Sequence, residues 1–210
     1  MKLVFASNNA HKLSEVRAMM PAGVEVLSLH EIGFEAEIEE TGKTLEENSL
    51  IKAKAVWDFI NDGMSAAKPL NDGLMIDGVF ADDTGLEITA LGGQPGVYSA
   101  RWAGSPEANR QKAIRELAGK EDRSARFRTV ITLLMNGDAP LNGGMMQVEG
   151  EVRGWITEEE HGAGGFGYDP IFIPEGYDRT FGELPAEVKN NISHRARALQ
   201  ALVKILSSEH

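Results

Sequence analysis

Gly78-Val79-Phe80-Ala81-Asp82-Asp83-Thr84-Gly85 sets an apolar run directly before two adjacent carboxylates. The run reads as a buried strand, and the Asp-Asp-Thr-Gly after it reads as the strand's end. In open α/β sheets, ligands bind outside the carboxyl ends of the strands. Asp82 and Asp83 are therefore expected where a ligand would sit. Paired carboxylates suit a hard cation such as Mg²⁺, which takes one or two of them together with phosphate oxygens and water. One carboxylate can also orient or deprotonate an attacking water. An acidic turn with Gly85 at positive φ fits the same residues.

Toward the N-terminus, Leu3-Val4-Phe5-Ala6 is another short apolar run, and Ser7, Asn8 and Asn9 are turn and N-cap formers. Leu13, Val16, Met19 and Met20 then fall at helical spacing over 11–20. A strand, a polar loop and a helix N-terminus make an anion site, because free N–H groups and the helix dipole both favour negative charge. Lys12 adds a point charge. The loop has none of the glycines of a Walker A or dinucleotide motif, and plain N-capping explains it as well. Glu25 to Ser28 reads as a strand.

Thr44 to Asp62 reads as a helix. Thr44 and Glu47 fit a capping box, Leu45, Leu50, Ala53, Val56 and Trp57 form an apolar stripe, and Gly63 stops it. Ahead of it lies Glu39-Glu40-Thr41-Gly42, either a solvated acidic loop or the source of a further metal ligand at Glu40. Residues 64–77, with Pro69, Asn71, Asp72 and Gly73, read as a surface excursion.

Pro106 to Leu117 is helical by pattern. Ala125 to Met135 and Met145 to Ile156 read as a long antiparallel pair around a turn at Asn136, Gly137, Asp138 and Pro140. Ile171 to Ile173 is a short strand, and Ala186–Ile192 and His194–Leu206 are helices. The fold class is α/β with a mixed sheet, with residues 1–210 taken as a single domain.

Two further clusters carry chemistry. Gly164-Gly165-Phe166-Gly167-Tyr168-Asp169-Pro170 flanks two aromatics with glycine, which suits close approach of a planar ligand and stacking on a base, or a tight turn that packs its rings inward. Ser193-His194-Arg195 opens the last helix, with Ser193 as its cap. An Arg at a helix N-terminus opposes the dipole, a mild cost that points to a functional placement for a side chain able to read a carbonyl or phosphate. A plain surface pair is the alternative.

Bulk composition narrows the function classes. The chain has 210 residues, 42% hydrophobic and 25% charged, an ordinary globular composition. It has no cysteine, which excludes disulfides, Cys-bound zinc and thiol catalysis. A net charge of −11 argues against a nucleic-acid partner, whose binding needs a basic surface. No stretch approaches the roughly 18 apolar residues of a membrane span. The short apolar run at the N-terminus is no signal peptide, and a cytoplasmic location fits.

Taken in order, the clusters closely resemble the inosine triphosphate pyrophosphatase family, the Ham1/RdgB-like nucleotidases. Its opening loop is similar to Ser7-Asn8-Asn9-Ala10-His11-Lys12. Its acidic block resembles Glu40-Thr41-Gly42-Lys43-Thr44-Leu45-Glu46-Glu47-Asn48, and its metal motif resembles Ala81 to Leu86. Leu91 to Arg101, Phe166 to Asp169 and Ser193 to Arg195 match as well. The resemblance implies an elongated, two-lobed mixed-sheet fold with a central nucleotide cleft, usually as a homodimer. It implies Mg²⁺-dependent hydrolysis of ITP, dITP and XTP to the monophosphate and pyrophosphate. It also implies roles. Ser7, Asn8, Asn9, Ala10, His11, Lys12 and Lys52 hold the phosphates, with Thr84 in place of the commoner Ser. Asp83 is catalytic, and Asp82, Asp83 and Glu40 hold the metal, with Glu39 a competitor in register. Phe166 stacks on the base, Gly167, Tyr168 and Asp169 frame it, and Lys189, His194 and Arg195 complete the nucleotide site, with His194 and Arg195 near the purine 6-oxo group. Residues 64–77 are longer than the family's usual connection at that point.

Overall fold

The structure, a computed structural model, describes residues 1–63, 75–135 and 144–207. Most of the 64–77 excursion and the turn at Asn136 to Pro140 lie outside the described residues. The elements follow as β1 (Lys2–Phe5), α1 (Ala10–Met19), β2 (Glu25–Leu27), α2 (Leu45–Gly63), β3 (Gly78–Ile88), β4 (Pro95–Gly96), α3 (Pro106–Glu116), β5 (Ser124–Met135), β6 (Met145–Ile156), β7 (Phe172–Pro174), α4 (Ala186–Ile192) and α5 (His194–Ser207). The sheet runs β2-β1-β3-β5-β6-β7, with β4 on β3. β1 is parallel to β2 and β3, while β4 and β7 are antiparallel to β3 and β6.

The chain divides into two compact units. The first comprises Met1–Asp83, Val130–Val148 and Leu199–His210. Its core joins Val4, Leu27, Val79 and Ala81 of the strands, and Ala6 just after β1, to Ala53, Val56 and Ile60 of α2. Phe5 stacks on Phe80 across the β1–β3 pair, ring centroids 5.0 Å apart. α2 starts as its sequence dictates, with Thr44 Oγ1 accepting from Glu47 N at 3.1 Å. The capping box is not reciprocal, however. The Glu47 carboxylate accepts from Lys43 N at 2.5 Å, one residue before the cap.

The second unit comprises Thr84–Thr129 and Glu149–Ala198. Its core gathers Leu86, Ile88, Phe127, Val152, Ile156, Tyr168, Phe172 and Phe181 around Ala113 and Leu117 near the C-terminal end of α3. Ser105 caps α3 through Ala108 N at 3.1 Å, and Pro106 occupies the first turn, where its missing N–H costs nothing.

One expectation is corrected here. Asp82 and Asp83 do not end a strand, because β3 continues through both to Ile88. Thr84 and Gly85 are extended, and pairing of Leu86 with Gly96 and Glu87 with Pro95 sustains the strand. The acidic-turn alternative falls with it. Successive strand side chains face opposite ways, so the two carboxylates point to different faces of the sheet.

Close approach fixes the start of α5. A Cβ on Gly150 would lie 2.2 Å from His194 O and 2.3 Å from Ala198 N. Gly150→Ala should therefore destabilise the protein by about 1–3 kcal/mol, read as a lower urea midpoint. An unchanged midpoint would show that this approach is not required.

Candidate active site

The first unit assembles a charge cluster from three elements. Asn9 caps α1, its Oδ1 accepting from His11 N at 3.0 Å and Lys12 N at 3.1 Å. Ser7 Oγ accepts from Asn9 N at 3.3 Å. Two of the amides that the sequence offered to an anion are thus already used by the cap. Asn8, Asn9, Ala10 and His11 remain exposed. Lys12 Nζ reaches β3 and contacts both Asp82 oxygens, at 3.0 and 2.8 Å.

On the other face of β3, Asp83 meets α2. Lys52 Nζ donates to Glu40 Oε1 at 2.6 Å and to Asp83 Oδ1 at 3.3 Å. Side-chain exposure is 13% for Lys52 and 11% for Asp83, so the contact is shielded from water. Glu40 joins the cluster, while Glu39 is exposed. Glu40 and Asp83 converge on one cation and Asp82 on another. Among the described residues, no three acidic or histidine side chains are grouped to hold a metal. In this cluster three carboxylates face two ammonium groups.

The two partners titrate differently. Burial acts to lower the Lys52 ammonium, but Asp83, Asp82 and Glu40 outweigh it and hold it above the ordinary lysine value. Burial is also the largest influence on Asp83, and Glu40 adds to it. Lys52 and the Asn48 amide pull the other way, yet the carboxyl stays above the ordinary Asp value. Lys52 contacts two carboxylates and feels the charge of a third, whereas Asp83 shares its cation with Glu40.

The second unit holds the remaining predicted residues. Thr84 Oγ1 bonds Thr129 Oγ1 at 2.8 Å. Asp169 is buried, and its Oδ2 accepts from Phe166 N at 2.7 Å and Lys189 Nζ at 2.5 Å. Phe166 is 52% exposed, with Lys189 Nζ 4.5 Å and Arg195 Cζ 5.7 Å from its ring centroid. Both distances fall within cation–π range. His194 stacks on Phe127 at 4.8 Å, and Ser193 Oγ caps α5 through Ala196 N at 3.2 Å.

Tyr168 departs from expectation. Its ring belongs to the core and its hydroxyl donates to Ser99 O at 2.9 Å, so it anchors the loop from inside rather than facing a base. Burial raises its phenol far above the usual value. Gly165 has φ +74°, and a Cβ there would lie 2.1 Å from Asp169 Oδ2, so its glycine admits the carboxylate and not a ligand.

Sequence reasoning missed Arg110. Its Nη1 donates to Gly167 O at 3.0 Å, and its Nε lies 3.0 Å from Glu160 Oε2 without an aligned hydrogen bond. Its position on α3 gives no motif signal. Asn48, noted in the acidic block but given no role, is fully buried on the α2 face that also carries Lys52.

The sequence profile of the Ham1 family matches residues 3–205. The chain belongs to the Ham1 family. Among curated relatives, the dITP/XTP pyrophosphatase of Flavobacterium johnsoniae is 43% identical over 99% of both chains. That of Bacillus subtilis is 46% identical over 98% of this chain and 96% of its own. Among solved structures, the Ham1 protein of Staphylococcus aureus superposes with a TM-score of 0.82 at 37% identity, covering 100% of both chains. The mixed α/β fold is therefore that of Ham1 proteins.

The pKa directions yield paired predictions for this Ham1-family chain, in metal-free buffer. Asp83 has a folded value above its unfolded one. Its contribution is favourable below the unfolded pKa of about 4 and is lost as pH rises through the folded value. Asp83→Asn should therefore raise Tm at pH 7, with the gain vanishing toward pH 4. Lys52→Met leaves buried carboxylates without their shared cation and should cost about 3–5 kcal/mol. Thermal melts across pH check both. A fall in Tm at pH 7 on Asp83→Asn would contradict the charge reading.

Proposed function

We propose that this chain hydrolyses deaminated purine nucleoside triphosphates, ITP, dITP and XTP, to the monophosphate and pyrophosphate, with Mg²⁺ as cofactor. The observation that carries this reading is the buried Asp83 carboxylate, poised above its ordinary pKa between Lys52 and Glu40. The names of relatives 43–46% identical to the chain support the substrate class.

The donors fit Mg²⁺. Glu40 and Asp83 already converge on one positive charge, the Lys52 ammonium. Two carboxylates, phosphate oxygens and water meet its needs, so Glu40 and Asp83 would hold it, with Asp82 beside them on β3. Bound there, it supplies the charge that offsets the phosphates and the departing pyrophosphate.

The chain's own residues do the rest. Asp83 orients a water and accepts its proton as the oxygen attacks the α-phosphorus and the α–β bridging bond breaks. Phosphoryl chemistry needs positioning and charge neutralisation more than covalent help. Lys52 and Lys12, with the Ser7 to His11 loop, bind phosphate oxygens. Their exchange from carboxylate to phosphate is what ligand entry requires of them. Phe166 offers its exposed ring to the base, held by Asp169 and Lys189. His194 and Arg195 donate toward the 6-oxo group. Adenine carries an amino donor there and would leave a buried donor unpaired, a mismatch worth orders of magnitude in rate.

Two further properties belong to this reading. The chain acts in the cytoplasm, as its cysteine-free composition suggests, and pairs as a homodimer, as the family resemblance implies. Among the described residues no helix is long and apolar enough to cross a membrane.

Product analysis tests the reaction. ITP with Mg²⁺ should give IMP and pyrophosphate, and Asp83→Asn should reduce turnover at least about 1,000-fold in folded protein. Release of IDP and orthophosphate would overturn the reading.

A further inference from the structure

Asn48 is fully buried on α2, one turn before Lys52 on the same helix face. Its Oδ1 accepts from Gly42 N at 2.8 Å. That bond fixes the orientation of the amide, because a backbone N–H only donates and the atom facing it must be the oxygen. The amino group is then committed to the other side. Asn48 Nδ2 and Asp83 Oδ2 are both buried without an aligned hydrogen-bond partner among the described residues. Lys52, one turn further along that helix face, reaches the Asp83 carboxylate, and the Asn48 amide favours the charged form of Asp83, so the amino group is directed toward that carboxylate. Two buried polar atoms left without an aligned partner each forfeit on the order of one hydrogen bond, which is unusual beside a functional carboxylate unless the geometry tightens during function.

The other end of the amide is as constrained. A Cβ on Gly42 would lie 2.6 Å from Asn48 Oδ1 and 2.7 Å from Glu47 Cβ. Only glycine lets the loop carrying Glu40 approach the helix closely enough to be tied there. One side chain thus bridges the Glu40 loop and the Asp83 strand.

We infer that Asn48 is a positioning residue for the hydrolysis: its carboxamide ties the Glu40 loop through Gly42 and donates to Asp83 Oδ2, fixing the direction in which the Asp83 carboxylate presents its other oxygen. The inference rests on the phosphohydrolase reading of Asp83 and goes beyond it. Asn48 touches neither water nor phosphate in this role and acts only through Asp83. Losing it leaves nucleotide binding in place and slows the chemical step.

The test uses the full chain with Asn48→Ala, Asp83→Asn, the double variant, and Ser49→Ala as a structural control. Ser49 is the next residue of α2, equally buried, and its hydroxyl bonds Glu46 O at 3.1 Å and Thr132 Oγ1 at 2.7 Å. Asn48→Ala should lower kcat for ITP about 100-fold, the scale of a misplaced reacting group, with KM within threefold. Ser49→Ala should lower Tm while leaving kcat within twofold. A loss carried by KM, or a kcat loss no greater than that of Ser49→Ala, would overturn the inference.

A second readout needs no turnover. In thermal melts without metal, Asn48→Ala should cost less in the Asp83→Asn background than alone, by more than about 2 °C. Additive shifts would overturn the inference. If the parent chain releases no pyrophosphate from ITP, the reaction reading fails, and this cycle alone decides whether Asn48 acts on Asp83.

Discussion

The largely shielded Lys52 ammonium, shared between Glu40 and Asp83, is the constraint from which the candidate site follows. Removing three charges from water is expensive unless they neutralise one another at close range. Lys52 does this for two carboxylates drawn from different elements, an acidic loop and the long strand β3, while itself standing on α2. The apolar faces of α2 and β3 meet through Ala53, Val56, Val79 and Ala81. That packing sets the distance at which the three charged groups meet, and hydrophobic burial supplies the free energy that holds them there.

The same cluster leaves a residual problem that function can use. Lys12 is committed to Asp82 and Lys52 to Glu40 and Asp83, so the first unit presents more negative than positive charge where phosphates are proposed to bind. The proposed Mg²⁺ would offset that excess when a polyphosphate binds. In the second unit, Asp169 performs a related task, holding Phe166 N and Lys189 together so that an aromatic ring is presented half exposed beside cations. In both units a buried Asp organises a lysine.

Much of this was legible in the sequence, for identifiable reasons. β1, α3, α5 and the two long strands are announced by residue pattern and, for α5, by Ser193. The residues brought to the cluster, Lys12, Glu40, Lys52, Asp82 and Asp83, were all named in advance. What escaped were features that depend on distant partners. β3 runs past Asp83 because β4 pairs with its second half, which no local turn propensity reveals. The acidic pair therefore splits across two faces instead of forming one ligand set. The glycine-rich context of Tyr168 allows either a ring that stacks on a base or one packed inward, and only the contact of its hydroxyl with Ser99 O, far off in sequence, selects the second. Asn48 looked like one more polar residue of an acidic block. Its burial on the stripe shared with Lys52 emerges only once the helix is docked.

The account centres on a charge imbalance that the proposed Mg²⁺ would correct. Its most direct test is calorimetric titration of the protein with a non-hydrolysable α,β-methylene analogue of ITP, with Mg²⁺ and again with EDTA. The account predicts that removing Mg²⁺ weakens binding at least about 100-fold, since the metal contributes several kcal/mol to phosphate charge stabilisation. Equal affinity in the two titrations would contradict it.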